Sequence, residues 1–360
     1  MKKRKKFFNR IFASALCLSV LIVPLFACKS GEPEPDTKDE SARRIVVGFS
    51  QLGAESDWRS ANSESMRETF TDKNGYTLIF EDGQQKQANQ ITAIRSFIQQ
   101  GVDYIVLAPV TETGWDTVLE EAKEAGIPVI IVDRQIDVSD ESLFTCWVGS
   151  DFKLEGDKMS EWLHSFTKAK GIAGEDIHIV NIQGTIGASS QIGRTAGLEE
   201  AVKKYGWDLL AEEPGDYTQA KGREVMVEFL KKYKNINVVY CENDNEAYGA
   251  IEAIEAAGRK VGSDIENGEI MVLSFDGVDE KALELAMEGK ISCISECNPL
   301  HGPRVQSIIE KIEAGEVPAK YSYVYECFFT ADQTVKELNI DGSPFGVTIL
   351  SEEVIKQRMN

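Results

Sequence analysis

Short apolar strands alternate with amphipathic helices along most of this chain, and that alternation restricts its fold more than any other feature. In a first series, strand-like runs lie at 45–49, 77–80, 104–108 and 129–132, with helical patterns at about 58–73, 86–100 and 114–125. A second series has strands at 177–182, 238–241, 271–275 and 291–295, with helices at about 190–205, 219–233, 245–257 and 278–288. Because the strands are almost continuously apolar, the pattern predicts parallel sheets covered by helices on both faces.

The repetition of this pattern predicts two similar, doubly wound α/β lobes, since each series has the length of an ordinary domain. The segment Val148-Gly149-Ser150-Asp151 lies between the two series and is the predicted first crossing between the lobes. In doubly wound sheets, ligands bind outside the carboxyl ends of the strands. The residues that directly follow each strand are therefore the candidate binding residues.

Polar and charged side chains are concentrated at these strand ends. They are Ser56, Trp58, Arg59, Asp133 and Arg134 in the first series and Arg194, Asn243, Asp276 and Glu296 in the second. Carboxylate and guanidinium groups suit sugar hydroxyls, because a hydroxyl both donates and accepts hydrogen bonds. The C–H face of a sugar ring packs on an aromatic face, which Trp58 offers. The set predicts a sugar site without histidine, and we expect His164, His178 and His301 to lie away from it.

Most of these residues also have an ordinary structural explanation. Trp58 is equally typical of a packing residue at a helix start. Asp133 and Arg134 are able to form an internal ion pair that holds a loop. Arg194 suits a salt bridge on a helix surface, and Asp276 suits a helix N-cap. Only the joint placement of the set at successive strand ends favours a binding site.

The first 28 residues have the pattern of a secretory signal. A basic head that includes Arg10 precedes an apolar run from Ile11 to Ala27. Leu25-Phe26-Ala27-Cys28 resembles a bacterial lipobox, which implies removal of residues 1–27 and lipidation of Cys28. The alternative is an uncleaved anchor helix, although the run is short for a membrane span and Pro24 interrupts it. Both interpretations place the body outside the cytoplasm, lipid-anchored to the outer face of the cell membrane or periplasmic.

The charge of the chain restricts its partners. The formal net charge is −20, and residues 1–27 contain six basic residues and no acid, so the remainder carries −26. This balance argues against nucleic acid, or an anionic bilayer, as a partner bound through a basic patch. Residues 28–44 are polar and contain proline and acids without an apolar period, which predicts a flexible tether.

The cysteines predict neither disulfides nor zinc. Five remain outside the signal and the lipobox, namely Cys146, Cys241, Cys293, Cys297 and Cys327. An odd number set among apolar, strand-like residues is typical of small core residues rather than of a disulfide framework. Cys293 and Cys297 do not have a zinc-site pattern, since His301 is followed directly by Gly302-Pro303.

Several segments together carry a resemblance to a known family. They are VGFSQLGAESDWR (47–59), EDGQQKQANQ (81–90), AIRSFIQQGVD (93–103), APVTETGW (108–115), IPVIIVDRQIDV (127–138), QGTIGASSQIGR (183–194), GDYTQAKGREVM (215–226) and SFDGV (274–278). From about Ile45 to Leu350 the chain resembles the type I periplasmic sugar-binding proteins of ABC transporters, of the ribose-binding class. Within that class it looks closest to the galactofuranose-binding type.

The resemblance implies two lobes joined by three crossings that close around one sugar. It implies an N-terminal lobe of residues 45–149 plus 297–325 and a C-terminal lobe of residues 150–296 plus 326–360. The nine strand-end residues named above match ligand-binding positions of related proteins. Where ribose binders have a second aromatic this chain has Arg59, which is able to reach an exocyclic hydroxyl. Glu296 replaces an amide, and Glu242 stands where galactofuranose binders have histidine.

The resemblance also implies the partners. They are a monosaccharide (galactofuranose or a related pentose or hexose) and an ABC permease, for a monomer with no cofactor. The calcium loop of glucose/galactose-binding relatives is not visible in this sequence, so no metal is expected.

Three functions other than transport are compatible with parts of this pattern: an enzyme, a sensor and a repressor. An enzyme lacks support, because the sequence has no G-x-G-x-x-G after the first strand, no P-loop and no G-x-S-x-G elbow. A sensor that presents its ligand to a membrane receptor would have the same site, and the sequence does not separate it from transport. A repressor of the lactose-repressor family would begin with a DNA-binding helix-turn-helix, where this chain has an export signal.

Overall fold

The computed structural model describes residues 43–359, which form sixteen β-strands and ten α-helices. The first-half strands are β1 (Ile45–Gln51), β2 (Tyr76–Asp82), β3 (Tyr104–Leu107), β4 (Val129–Val132), β5 (Cys146–Gly149), β6 (His178–Gln183), β7 (Asp208–Pro214) and β8 (Val238–Cys241). The others are β9 (Lys260–Val261), β10 (Glu269–Asp276), β11 (Cys293–Glu296), β12 (Tyr321–Tyr323), β13 (Phe328–Thr330), β14 (Glu337–Ile340), β15 (Ser343–Gly346) and β16 (Thr348–Ile349). The helices are α1 (Asp57–Thr69), α2 (Gln87–Gln100), α3 (Asp116–Glu124), α4 (Phe152–Lys170), α5 (Ser189–Tyr205), α6 (Gln219–Lys232), α7 (Asp244–Ala256), α8 (Glu280–Met287), α9 (His301–Glu313) and α10 (Glu352–Met359).

The predicted signal peptide (1–27), the lipidation site Cys28 and most of the predicted tether (28–44) lie outside the described residues.

The N-terminal lobe is built on a six-stranded sheet of order β12-β5-β4-β3-β1-β2, in which every pair is parallel. Helices α1 and α9 contribute to the core on one face of the sheet, and α2 and α3 contribute to the core on the other. The strand order reverses between β1 and β3, which is the switch point where ligands bind in such sheets.

The C-terminal lobe repeats this arrangement. Its sheet has the order β16-β13-β11-β10-β8-β6-β7, with β9 beside β10, so its switch point lies between β6 and β8. Helices α6, α7 and α8 pack in the core on one face, and α4 and α5 pack in the core on the other. The prediction of two doubly wound α/β lobes is confirmed. The sheet is not wholly parallel, however, because β13 pairs antiparallel with β11.

The chain passes between the two sheets three times, between β5 and α4, between β11 and α9, and between β12 and β13. Residues 150–151, 297–300 and 324–327 form these connections, which we call the hinge. The division into residues 45–149 plus 297–325 and 150–296 plus 326–360 stays a prediction.

Three further observations complete the architecture. A hairpin of β14 and β15 forms a separate two-stranded sheet that contacts α4. All five cysteines within residues 43–359 are free thiols, and Cys327 alone among them is not fully buried. In the same range, no helix combines the length and apolar character that crossing a membrane requires.

Candidate ligand-binding site

A small cavity lies between the lobes, at the carboxyl ends of the strands. Eight of the nine predicted residues line the cavity, namely Ser56, Trp58, Arg59, Asp133, Arg134, Arg194, Asn243 and Asp276. Glu55, Phe152, Ser190, Tyr217 and Cys297 complete the lining.

The start of helix α1 places three of these side chains. Ser56 is its N-cap, and the Ser56 hydroxyl accepts a hydrogen bond from the Arg59 backbone N–H at 3.2 Å. Trp58 and Arg59 therefore lie in the first turn, beside the switch point of the sheet. The Trp58 indole N–H donates to the Cys297 carbonyl at 2.7 Å, and Arg59 lies against the Trp58 ring at 4.6 Å from its centroid. Trp58 thus joins α1 to the hinge as well as lining the cavity.

All three nitrogens of the Arg59 guanidinium contact neighbouring protein groups. Its Nε donates to Glu55 Oε1 at 3.1 Å, and its Nη1 donates to Gln51 Oε1 at 3.3 Å. Its Nη2 lies 2.8 Å from Asp133 Oδ2. These acids hold the pKa of Arg59 above its ordinary value, although burial acts to lower it. Arg59 therefore organises the wall of the cavity, and Asp133 pairs with Arg59 rather than with its chain neighbour.

The charge of Arg134 is much less compensated by neighbouring acids than the charge of Arg59 is. Its Nη1 donates to the Val110 carbonyl at 2.8 Å, and its Nη2 lies 3.7 Å from Glu55, beyond hydrogen-bond distance. Burial lowers the pKa of Arg134, and the nearby Arg59 charge lowers it further. Among the residues described, no acceptor binds the remaining N–H groups of this buried guanidinium. A ligand with several acceptor oxygens would supply what the protein does not.

Arg194 on α5 is the cation of the opposite wall. Its Nε donates to Glu155 Oε2 at 2.7 Å, its Nη1 donates to the Glu242 carbonyl, and its Nη2 lies 3.3 Å from Asp276 Oδ1. Arg194 is almost fully buried, so the alternative of a surface salt bridge is wrong. Paired carboxylates raise its pKa even though burial opposes them.

The two aspartates that line the cavity have unusual backbone conformations. Asp133 has φ 63° and Asp276 has φ 95°, each at the end of a strand. Positive φ is costly for a residue with a Cβ, and such outliers are concentrated at functional sites. Burial raises the pKa of Asp276 to about 7, with the Arg194 charge opposing the rise. Asp276 is not an N-cap, because the Asp279 side chain caps helix α8.

Asn243 and Tyr217 line the cavity on the side of the C-terminal lobe. The Asn243 side chain caps α7 by accepting from the Glu246 N–H at 2.8 Å, and its Nδ2 donates to the Tyr217 carbonyl at 3.1 Å. Tyr217 has φ 61°, and its hydroxyl lies 2.7 Å from the Ser190 hydroxyl. A Cβ on Gly184 would approach the Tyr217 ring to 1.9 Å. Glycine at 184 is therefore what allows the tyrosine to lie against the cavity.

The structure does not bring Glu296 to the cavity. Its Oε1 lies 2.7 Å from Arg358 Nη1, and its Oε2 accepts from the Cys327 N–H at 2.7 Å. The Arg358 charge holds the pKa of Glu296 below its ordinary value, against the effect of burial. The Glu296 carboxylate therefore binds residues of α10 and the hinge. The prediction that it accepts hydrogen bonds from the ligand is wrong for this conformation.

One other expectation needs correction. The sequence analysis predicts that His301 lies away from the strand-end residues, yet its ring lies 5.9 Å from the Trp58 ring, and Asn62 Nδ2 lies 2.9 Å from His301 Nδ1. Burial lowers the pKa of His301 to about 4, so it supports Trp58 as a neutral ring. Glu242 lies beneath the cavity, where it accepts from Thr195 at 2.5 Å and from the Gly184 N–H at 2.9 Å.

Sequence reasoning missed five lining residues for identifiable reasons. Glu55 directly precedes Ser56 and belongs to the same strand-end segment, so the signal was present. Ser190 lies one turn before Arg194 on α5 and had the same signal. Cys297 directly follows β11, so the strand-end rule covered it, but its thiol was interpreted as a small core residue. Phe152 is the first residue of α4, after the first hinge connection, and an apolar residue there gave no signal of a ligand site. Tyr217 enters from a loop after the edge strand β7, and nothing in its sequence context indicates that direction.

Direct contacts between the lobes surround the cavity. The Asp57 N–H donates to Asn245 Oδ1 at 3.0 Å, and Asn245 Nδ2 donates to Asp57 Oδ2 at 2.9 Å. The Gln135 N–H donates to the Ser189 hydroxyl at 2.8 Å. The Glu112 N–H likewise donates to the Gly187 carbonyl at 3.1 Å. The structure is therefore a closed conformation.

The two serines that line the cavity already have partners in the protein. The Ser190 hydroxyl lies 2.7 Å from the Tyr217 hydroxyl, and the Ser56 hydroxyl accepts from the Arg59 backbone N–H. Charged groups of both signs face each other across a closed space beside an aromatic ring. Such an arrangement holds a small neutral molecule rich in hydroxyl groups.

Comparison with known proteins agrees with this geometry. The family model for the periplasmic binding protein domain matches residues 47–301. The galactofuranose-binding protein YtfQ of Escherichia coli K12 is 41% identical over 302 residues, which cover 82% of this chain and 91% of that protein.

Two solved structures are similar in fold and sequence. A Mycobacterium smegmatis protein in complex with β-D-fucofuranose has a TM-score of 0.75 and 40% identity, covering 81% of this chain and 92% of the other. The arabinose ABC transporter binding protein of Shewanella sp. ANA-3, bound to α- and β-L-arabinofuranose, has a TM-score of 0.74 and 40% identity. That match covers 81% of this chain and 93% of the other.

Proposed function

Because this chain belongs to the periplasmic binding protein domain family, we propose that it captures a monosaccharide between its lobes and delivers it to an ABC permease. The observation that carries the proposal is the closed cavity, in which three guanidinium groups, three carboxylates and the Trp58 ring converge. We further propose that the sugar is bound in a furanose form, galactofuranose or a related pentose or hexose. The support for this is that relatives with 40% identity were solved with furanoses bound.

Closure around the ligand is the proposed mechanism. The ligand contacts both walls, so it stabilises only the closed conformation and shifts the population of the two lobes toward it. Micromolar affinity requires about −8 kcal/mol. Hydrogen bonds to charged groups contribute about 1.5–3 kcal/mol each, so a few of them beside one aromatic face supply this amount.

The proposed role is not enzymatic. The arginines and acids are largely paired with one another, and the lining serines already have partners in the protein. The remaining parts of the proposal rest on the sequence: a lipoprotein anchored through Cys28 outside the cytoplasm, and a monomer without cofactor or metal. Mass spectrometry of the N-terminal peptide should find Cys28 as the first residue with acyl chains attached, and an unmodified Cys28 or a retained segment of residues 1–27 would refute the lipid anchor.

A thermal-shift panel tests the function. The purified protein is unfolded and refolded to remove any sugar bound during expression, and its melting temperature is measured with L-arabinose, D-galactose, D-fucose and D-ribose. D-glucose is the matched control for D-galactose, because its furanose forms are scarcely populated in solution. A ligand that binds only the folded protein raises the melting temperature in a concentration-dependent way. We expect a shift with D-galactose or L-arabinose and none with D-glucose. An equal shift with D-glucose would refute furanose selection, and no shift with any sugar would refute the sugar-binding function.

A further inference from the structure

Two buried glutamates and a thiol meet in the hinge, behind the wall that carries Arg194. Glu326 lies on the connection from β12 to β13, Cys297 lies on the connection from β11 to α9, and Glu155 lies in the first turn of α4. One carboxylate oxygen of each glutamate and the Cys297 Sγ lie within 4.8 Å of one another. Their exposed fractions are 1% for Glu155, 7% for Glu326 and 2% for Cys297. This cluster lies outside the ligand cavity except for Cys297, which borders both.

Glu326 links all three hinge connections. Its Oε1 accepts from the Ser150 hydroxyl at 2.6 Å on the first connection and from the Asn298 N–H at 2.7 Å on the second. Glu326 itself belongs to the third connection. Its carbonyl accepts from Lys158 Nζ of α4 at 3.2 Å. The position of this one side chain is therefore defined by the relative placement of the three connections.

Glu155 extends this link to the ligand cavity. Its Oε2 accepts from Arg194 Nε at 2.7 Å, which orients the guanidinium toward the cavity. Its Oε1 is buried and, within the described part of the chain, meets no N–H or hydroxyl donor. Its neighbours in the cluster are Glu326 and Cys297, and one carboxylate oxygen of each glutamate lies within 4.8 Å of the other. Two buried carboxylates this close do not both ionise readily, so a proton on one of them relieves the repulsion.

We propose that Glu155 and Glu326 share one proton in the closed hinge, and that this proton makes Glu155 the positioning residue for Arg194. This inference rests on the proposed function, because it concerns sugar affinity. The proton satisfies the orphan oxygen of Glu155 while the other oxygen keeps its bond to Arg194. Loss of the proton leaves two like charges in contact inside the hinge, which favours separation of the three connections. The closed state therefore binds a proton more tightly than an open state does.

The charges around the pair are consistent with one retained proton. Arg194 faces Glu155 from α5, whereas Glu296 and Arg304 act on Glu326 from β11 and α9. Lys158 Nζ donates to the backbone carbonyl of Glu326 and also lies over the Phe345 ring. Burial keeps the pKa of the Cys297 thiol well above its ordinary value. Burial raises the pKa of Glu155 well above its ordinary value and raises the pKa of Glu326 to about 7. Burial of both carboxylates therefore favours the protonated pair, and the pair loses this proton as the pH rises.

Calorimetry with D-galactose or L-arabinose at pH 6.5 and pH 8.5 tests the proposal. Glu326→Gln is the informative variant, because its amide keeps the bonds to Ser150 and Asn298 and donates permanently to Glu155. Glu212→Gln is the matched control: Glu212 is a half-buried acid with a raised pKa that lies away from the hinge. We expect wild type and Glu212→Gln to bind roughly tenfold more weakly at pH 8.5 than at pH 6.5, since one proton is linked to closure. Glu326→Gln should bind with nearly equal affinity at both values.

A ligand-free measurement separates this inference from the proposed function. Thermal unfolding of wild type should lose more stability between pH 6.5 and pH 8.5 than that of Glu326→Gln, whether or not a sugar binds. Equal pH dependence in these two proteins would overturn the shared proton. Equal pH dependence of sugar affinity in wild type and Glu326→Gln would also overturn the shared proton. It would assign the pH dependence of binding to Asp276 in the cavity. A change in wild-type unfolding on addition of Zn²⁺, absent in Glu326→Gln, would likewise overturn the shared proton by showing that the cluster holds a cation.

Discussion

Replacement of Arg134 by methionine should remove most of the ligand affinity without greatly lowering the stability of the ligand-free protein. Arg134 makes one hydrogen bond to the protein, to the Val110 carbonyl, and its remaining donors face the cavity. Each hydrogen bond from a charged group to the ligand contributes about 1.5–3 kcal/mol, so one lost bond weakens binding at least about tenfold. Methionine keeps most of the apolar length of the side chain and removes only the charge and its donors.

The effect on stability follows from how the charge is compensated. Burial and the neighbouring Arg59 charge already lower the pKa of Arg134, so its removal relieves an unfavourable charge in the ligand-free protein. Arg194→Met is the matched comparison, because it leaves Glu155 buried without its cationic partner. Breaking a buried pair in this way costs about 3–5 kcal/mol. Arg134→Met should therefore unfold near the wild-type temperature, and Arg194→Met should unfold well below it.

Calorimetric titration and ligand-free thermal unfolding of both variants provide the two measurements. Arg134→Lys serves as a third protein, with the charge retained and the planar fork lost, and should bind with intermediate affinity. The reasoning is refuted if Arg134→Met binds within about threefold of wild type. It is equally refuted if Arg134→Met loses as much stability as Arg194→Met.

Three further outcomes are expected. Gly184→Ala should displace the Tyr217 ring and lower both affinity and melting temperature, whereas Gly346→Ala, with open space around it, should change neither; similar melting temperatures for the two variants would contradict the close approach. Glu242 is buried with its pKa raised to about 7, so the folded protein keeps a proton that the unfolded chain releases at lower pH, and stability falls as the pH rises toward 7. Urea unfolding at pH 5.5 and pH 8 should show about 2 kcal/mol less loss in Glu242→Gln than in wild type, and an unchanged loss would argue against this titration. Asn245→Ala removes the paired hydrogen bonds to helix α1. It should raise the dissociation constant for the sugar about threefold to tenfold and leave the stability of the ligand-free protein unchanged. Unchanged affinity would show that this contact does not hold the lobes closed.

The sequence predicted most of the sheet architecture because its strands are buried on both faces. Strands such as β8 (Val238–Cys241) are wholly apolar and lie between helices, so their pattern is distinct. The edge strand β7 was not predicted, because its residues are partly exposed and acidic. Helix α4 was not predicted either, since it buries Glu155, Lys158 and Ser160, which interrupt its apolar period. Helix α9 begins with His-Gly-Pro, which is typical of a turn but tolerated in the first turn of a helix.

The same contrast applies to the cavity. Residues that follow strands were predictable, because the topology of a parallel sheet brings the carboxyl ends together. The direction of an individual side chain was not, because it depends on partners far away along the chain. Glu296 follows its strand as the rule requires, yet Arg358, sixty-two positions later, turns its carboxylate away. The pairing of Glu155 with Glu326 is likewise visible only in three dimensions.

The triple crossing has a consequence for how the polypeptide is made. The N-terminal sheet is completed by β12 (Tyr321–Tyr323), and one of its covering helices is α9 (His301–Glu313). During synthesis, β12 and α9 leave the ribosome only after nearly all of the C-terminal lobe. The first strands of the N-terminal sheet are therefore made long before the last strand that completes the sheet. Domains usually fold in order from the N-terminus, with early completion of the first. Here the N-terminal sheet gains its last strand only after residues 150–296 are available, and neither lobe is obtainable as a fragment by cutting the chain at a single place.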